Sequence, residues 1–206
     1  MIHLYTGDGK GKTTAAIGQV IRAAGRDIKV YFAQFMKGND TGELHILEKL
    51  PGITILRSEK DFGFYNTMTE ADKQELTAIH NRILDWLLEA LQTGDPVICI
   101  LDEVTYPVKW NLLDREKLRE LLDVCKNASA ENLHSENAHR ENHNTKNTET
   151  ENSGMQESSE GGFLEIVMTG RDPANFLYKY ADYITEMKAI RHPYEKGITA
   201  RRGIEF

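Results

Sequence analysis

Apolar residues recur along this chain in two alternating rhythms, short β-rich runs and longer stretches at helical spacing. Ile2-His3-Leu4-Tyr5 reads as a first strand. A glycine-rich turn follows, then a helix over about 12–24 with Gly25 placed to cap it. Residues 28–35 make a second strand, a short helix over about 43–50 breaks at Pro51-Gly52, and 53–56 is a third strand. The longest helix is predicted to start at Thr69, an N-cap with Glu70 and Asp72 in the first turn. Leu76, Ile79, Ile83, Leu87, Ala90 and Leu91 then line one buried face.

The run 96–101 is continuously apolar and ends in Asp102-Glu103, as a central parallel strand covered on both faces does. A helix over about 114–126, a strand over 164–168, a helix near 173–180 and a last strand near 183–187 complete the pattern. Such alternation predicts an α/β fold: a mostly parallel sheet with right-handed crossovers, flanked by helices.

Residues 127–162 break the rhythm. They contain no Val, Ile, Phe, Tyr or Trp, and cannot bury enough apolar surface to offset the entropy of ordering. The expectation is one domain, 1–126 with 163–206, interrupted by a low-complexity, disordered insertion projecting from the surface. His134, His139 and His143 lie in it, but share no ligand spacing with a folded site.

Charge changes the picture only once it is located. The net charge is −7, but seven Glu against Lys146 and Arg140 put −5 of it in the insertion, leaving the rest near −2. No polybasic nucleic-acid footprint is present, and no apolar run approaches the roughly 20 residues that cross a bilayer. The first strand begins too early to leave room for a signal peptide. Cys99 and Cys125 have no redox or metal spacing, and Cys99 lies in an apolar run; a reduced, cytoplasmic setting is expected.

The chemistry concentrates in the turn after the first strand. In Gly7-Asp8-Gly9-Lys10-Gly11-Lys12-Thr13-Thr14, glycines let the backbone wrap a phosphate and the helix N-terminus supplies aligned N–H groups. Lys12 supplies a cation, and the Thr13 hydroxyl is placed to meet Mg²⁺ on the phosphates. The loop is one residue shorter than the usual Gly-x4-Gly-Lys-Ser/Thr pattern. Asp102, at the end of a buried strand, is the expected holder of Mg²⁺ or its water shell, and Glu103 the neighbour that reaches the substrate side. Arg171 in Thr169-Gly170-Arg171, and Lys37 after the second strand, sit where ligands gather at one edge of a parallel sheet. The fold class is therefore P-loop NTPase-like (RecA-like).

These motifs resemble the ATP:corrinoid adenosyltransferases of the CobA/BtuR type, the cob(I)yrinic acid a,c-diamide adenosyltransferases. The resemblance rests on the short loop, on Gln34-Phe35-Met36-Lys37-Gly38 with Gly42-Glu43, and on Leu101 to Tyr106 and Thr169-Gly170-Arg171. It closes on Lys188 to Pro193, Gly197 to Ala200 and Arg202 to Glu205. It implies transfer of the 5′-deoxyadenosyl group of ATP to Co(I) of a corrinoid, with release of triphosphate. Lys12, Thr13 and Glu103 then carry the catalysis, and Gly7 to Thr14 with Lys37 and Arg171 bind the nucleotide. ATP, Mg²⁺ and a reduced corrinoid are the implied ligands, an electron donor such as a flavoprotein the implied partner, and a homodimer the implied assembly.

The family's Gly-Phe-Thr-Trp segment, which faces the lower side of the corrin ring, finds its nearest match in Gly63-Phe64-Tyr65-Asn66, so Phe64 is the candidate and the tryptophan is missing. Phe62, Phe64 and Tyr65 read equally well as cover for the core. Longer members carry a segment before the first strand that covers the site. This chain starts at the strand, so a more open site or another cover is expected. Two rival readings remain: a generic P-loop kinase or ATPase, and a nucleotide-dependent corrinoid carrier.

Overall fold

A computed structural model describes residues 1–143, 163–191, 197, 199 and 201–204 of the chain, with the backbone alone over 131–143. Six strands form a single parallel sheet: β1 Ile2–Thr6, β2 Lys29–Gln34, β3 Ile53–Arg57, β4 Val97–Asp102, β5 Leu164–Thr169 and β6 Tyr183–Glu186. Their order across the sheet is β3-β2-β4-β5-β1-β6. The helices are α1 Lys12–Ala24, α2 Leu44–Leu47, α3 Glu70–Ala90, α4 Thr105–Trp110, α5 Arg115–His143 and α6 Asn175–Tyr180.

The continuous apolar runs follow from burial on both faces. Successive residues of β2, β4 and β5 alternate between two cores: Tyr31, Ala33, Cys99, Leu101, Ile166 and Met168 face one, and Val30, Phe32, Ile100 and Val167 the other. On the first face lie Ile83, Leu84 and Leu87 of α3 and Leu118, Leu121, Leu122 and Cys125 of α5. On the second lie Ala16, Val20 and Ala23 of α1, small enough to seat that helix close against the sheet, with Leu44 and Leu47 of α2. A third cluster of Met68, Leu76 and Leu112, joined by Met36, Phe62, Tyr65 and Trp110, fills the space beneath one wall of the cleft described below.

Most expected elements are present within a few residues of their expected bounds. Thr69 is the N-cap of α3 in a full capping box, its hydroxyl accepting from Asp72 N–H while the Asp72 carboxylate accepts from Thr69 N–H. Gly25 caps α1 in right-handed geometry, at φ −69°; the left-handed residue is Asp27, at φ 56°. The six-residue helix α4 was not expected.

The one clear correction concerns the boundary of the insertion. Helix α5 does not stop near residue 126 but runs on to His143. Ala128 packs on the core and the Ser129 hydroxyl donates to Cys125 O at 3.0 Å, while Met1 N–H donates to Ser129 Oγ at 3.1 Å. The start of the segment read as disordered is therefore tied to the folded domain. Alanines at 128 and 130 favour the helix locally, although the overall composition is polar. The rest of that expectation, 144–162, lies outside the described residues, as do the side chains of His134, His139 and His143.

Candidate active site

In a parallel sheet the loops after the strands gather at one edge, and here they bring the predicted residues together. The glycine loop leaves β1, Lys37 follows β2, Asp102 ends β4, Thr169 ends β5 and Arg171 follows it. Asp102 and Thr169 lie buried beneath a cleft of about 940 Å³ lined by Gly9 to Thr14, Lys37, Glu43, Phe64, Glu103, Tyr106 and Arg171. Gly7 and Asp8 stand on the other side of the loop, in a hollow shared with Arg171 and Lys188.

The loop is held from behind by the chain that follows β6. Gly9 N–H donates to Met187 O at 2.7 Å, and Ala189 N–H to Asp8 Oδ1 at 3.0 Å. A Cβ at Gly7 or Gly9 would lie 2.3 or 2.6 Å from Met187 O, so only glycine permits this approach. The hydrogen bond from Ala189 also lowers the pKa of the Asp8 carboxyl. Lys12 Nζ donates to Gly7 O and Gly9 O, each at 2.8 Å, and so fills the mouth of its own loop. Its pKa is lowered, first by burial and next by the charge of Arg171, while Glu103, Asp8 and Asp102 act the other way.

Asp102 is the hub. Its carboxylate is wholly buried. Oδ1 accepts from the hydroxyls of Thr13 and Thr169, each at 2.8 Å, and Oδ2 accepts from Lys37 Nζ at 2.8 Å. Burial works against the Lys37 ammonium, yet the charge of Asp102 and its hydrogen bond outweigh it and leave the pKa raised. Thr169 Oγ1 also accepts from Glu103 N–H at 2.9 Å, fixing the turn in which Glu103 adopts φ 60°. Glu103 has one carboxylate oxygen, Oε2, buried without a hydrogen-bond partner. Burial, and then the neighbouring charge of Asp102, raise its pKa.

The oxygens of this group suit a hard divalent cation such as Mg²⁺. Thr13 donates its proton to Asp102 and keeps lone pairs for a metal, whereas Asp102 is engaged at both oxygens. The set therefore fits Mg²⁺ directly through the hydroxyl and through the carboxylate by way of the water shell.

Two aromatic residues, Phe64 and Tyr106, also line the cleft. Phe64 is 85% exposed. Tyr65, in a 3-10 turn, stacks on Trp110 with ring centroids 4.5 Å apart, and Tyr106 stacks on the same indole at 5.0 Å. Phe62 packs in the third cluster, so of the three aromatics weighed as core or site, Phe62 and Tyr65 pack and Phe64 does not.

The family model for the ATP:corrinoid adenosyltransferases BtuR/CobO/CobP matches residues 1–135 and 153–206. The chain belongs to the ATP:corrinoid adenosyltransferase family. The corrinoid adenosyltransferase CobA of Salmonella typhimurium is 27% identical over 209 residues, which cover 100% of this chain and 85% of that protein. Corrinoid adenosyltransferases of Sinorhizobium sp. and Escherichia coli K12 are 26% and 27% identical over 207 residues, covering 100% of this chain and 80% and 85% of theirs. Among solved structures, the Aeropyrum pernix ORC2 protein in its ADPNP–ADP complexes aligns at a TM-score of 0.41 and 15% identity, over 91% of this chain and 41% of that one, a likeness too slight to bear on the fold.

The stretch that the adenosyltransferase model leaves unmatched, 136–152, is narrower than the 127–162 read from composition, in keeping with the anchored start of α5. Several residues around this adenosyltransferase's cleft were quoted in motifs without a role: Thr169, whose motif was noted for its arginine alone, and Tyr106, which stacks on Trp110. Thr105 was another; its hydroxyl donates to Arg171 O at 2.8 Å and sets the turn that carries the guanidinium.

Proposed function

We infer that the chain transfers the 5′-deoxyadenosyl group of ATP to Co(I) of a corrinoid, the Co–C bond forming as the C5′–O bond breaks and triphosphate departs. What supports this reading, beyond family membership, is the mixed lining of one cleft. Lys12, Lys37 and Arg171 cluster around a short glycine loop, and the rings of Tyr106 and of the exposed Phe64 line the same cleft. A kinase or ATPase needs the cations and the loop and has no use for the rings.

In this reading the loop holds a leaving group. Lys12 turns from the carbonyls of Gly7 and Gly9 to the triphosphate, joined by the N–H groups of the loop and by Arg171. Lys37 and Thr13 keep their places through Asp102, and Thr13 with Asp102 would hold Mg²⁺ as described above, whose charge would offset that of the phosphates. Lys10, Gly11 and Thr14 complete the nucleotide contacts. Glu103 meets the substrates from the side of β4 and Phe64 meets the corrinoid. No protein base is required, because Co(I) is itself the nucleophile; the protein positions, stabilises the leaving group and excludes water. An electron donor such as a flavoprotein, a homodimer and a cytoplasmic location belong to the same reading. Among the described residues no helix is long and apolar enough to cross a membrane.

The test is an anaerobic assay with ATP, Mg²⁺ and chemically reduced Co(I) cobalamin. Light-sensitive adenosylcobalamin with intact triphosphate is expected. Unchanged cobalamin beside ADP or free phosphate would instead establish a kinase or ATPase, and neither product a carrier.

A further inference from the structure

The long helix α3 buries a polar side chain that the reaction, as described so far, does not use. His80 is 1% exposed, in a position where the apolar spacing of the helix calls for another hydrophobe. Its ring makes two polar contacts, and one of them leads to Met36 in the lining of the cleft. Nδ1 lies 2.8 Å from Leu112 O, and Nε2 lies 3.3 Å from Met36 N. A carbonyl oxygen can only accept and a backbone N–H can only donate, so the proton sits on Nδ1 and Nε2 is the acceptor. One neutral tautomer satisfies both contacts, and a protonated ring cannot. Phe35, tilted against the imidazole at 5.2 Å, limits its rotation. Burial in this setting lowers the pKa to about 4.

Met36 is where this matters. It takes φ 59°, in the left-handed region that side chains other than Asn, Asp and Gly rarely occupy. Such a turn needs a hold from outside, and the bond from Met36 N–H to His80 provides one. The next residue is Lys37, whose ammonium reaches Asp102, which in turn holds Thr13 on the phosphate loop. At its other contact His80 fixes Leu112, just beyond the helix α4 that carries Tyr106 and Trp110.

We propose that His80 is a positioning residue for ATP, pinning the Met36–Lys37 turn so that Lys37 stays on Asp102 at the phosphate end of the cleft. This rests on the reading of the cleft as the ATP site.

Two substitutions in the full chain separate the contacts. His80→Asn keeps an amide where Nδ1 stood and can still donate to Leu112 O, but leaves Met36 N–H without an acceptor. His80→Gln carries an amide oxygen to where Nε2 stood and can accept from Met36. For each, Tm, the Kd of MgATP and the KM of both substrates are measured. His80→Asn is expected to weaken MgATP about ten-fold, the equivalent of one buried hydrogen bond. His80→Gln is expected to restore that affinity to within about two-fold whatever its Tm, and corrinoid KM to stay within about two-fold in both.

Equal MgATP affinity in wild type and both variants, with only Tm lowered, would show a merely structural histidine and overturn the proposal. So would equal losses in both variants that track Tm. Should neither variant fold, the wild-type imidazole decides by NMR. The neutral Nδ1–H tautomer is expected throughout pH 5–8, with the Met36 amide shifting when MgATP binds; an ordinary titration in that range, or an unmoved amide, overturns the pin. A wild-type chain that binds no MgATP would sink the reading of the cleft itself, whereas binding left untouched by His80→Asn removes the role of His80 alone.

Discussion

At the glycine loop, the phosphate end of the cleft in the proposed reading, Asp102 is wholly buried with both oxygens engaged, whereas Phe64, its corrinoid end in that reading, stands 85% exposed beside a single 3-10 turn. On that reading the contrast follows from what each end binds. Charged phosphate is held best by groups already fixed in place, since fixed donors need no reorganisation when charge develops. A large planar substrate needs apolar surface that stays open until the substrate covers it, and rings supply that surface with little side-chain entropy to lose. Damage at the first end should therefore cost stability and ATP binding together, and damage at the second should cost neither.

The largest effect is expected where charge meets the leaving group. Lys12→Ala should lower kcat/KM for ATP by roughly 100- to 1000-fold, the usual cost of losing one preorganised donor. Because the cation acts on the departing triphosphate, most of the loss should persist in kcat at saturating ATP, with corrinoid KM moving far less. Near-normal turnover would remove the loop from the mechanism and leave the contrast without its first half.

Next comes the hub. Asp102→Ala strands the Lys37 ammonium and two hydroxyls, and should destabilise the fold by about 3 kcal/mol, at the lower end of the range for a broken buried pair because Lys37 keeps some exposure. Urea unfolding measures it. A loss below about 1 kcal/mol would mean that Asp102 is a local contact and not the keystone of that end.

Acid should act on the same end through His80. Its folded pKa of about 4 lies below the ordinary 6.5, so the unfolded chain takes up a proton that the folded chain refuses. The stabilisation is complete above pH 6.5 and declines as pH falls towards 4, by a total of up to about 3 kcal/mol. Urea midpoints of wild type and His80→Gln across that window should converge as pH falls; parallel curves would assign the acid sensitivity to other groups.

How much of this was legible depended on whether a signal was local. The loop from Gly7 to Thr14, the apolar run of β4 and the capping box at Thr69 are each written within a few adjacent residues, and all lie where the spacing put them. The contacts that complete the site join residues dozens of positions apart: Lys37 to Asp102, Thr169 to Asp102, His80 to Met36. Only the strand order brings them together, and nothing in periodicity encodes it. His80 in particular sits on the buried face of α3, where an apolar template passes over a histidine. Helix α4 was missed because fewer than two turns give no periodicity to detect and Pro107 reads as a breaker, though it is tolerated so near a helix start, where its absent N–H has no partner to lose. The insertion boundary failed for the opposite reason. Composition averages over a window, and Ala128 and Ser129 are held by specific partners within a segment that is polar on average.

The smallest effect should come from the open end, and it is the sharpest test of the contrast. Phe64→Ala removes a ring that touches little of the folded protein, so Tm and the Kd of MgATP should be unchanged. If a corrinoid covers that ring, burying it should contribute about 1.5 kcal/mol, and corrinoid KM should rise about ten-fold. Phe64→Leu should recover part of the loss, because area is retained while the flat ring face is not. A fall in Tm with corrinoid KM unmoved would mean that Phe64 packs against something that its exposure does not reveal, and the substrate-facing role would pass to Tyr106, the other ring lining the cleft.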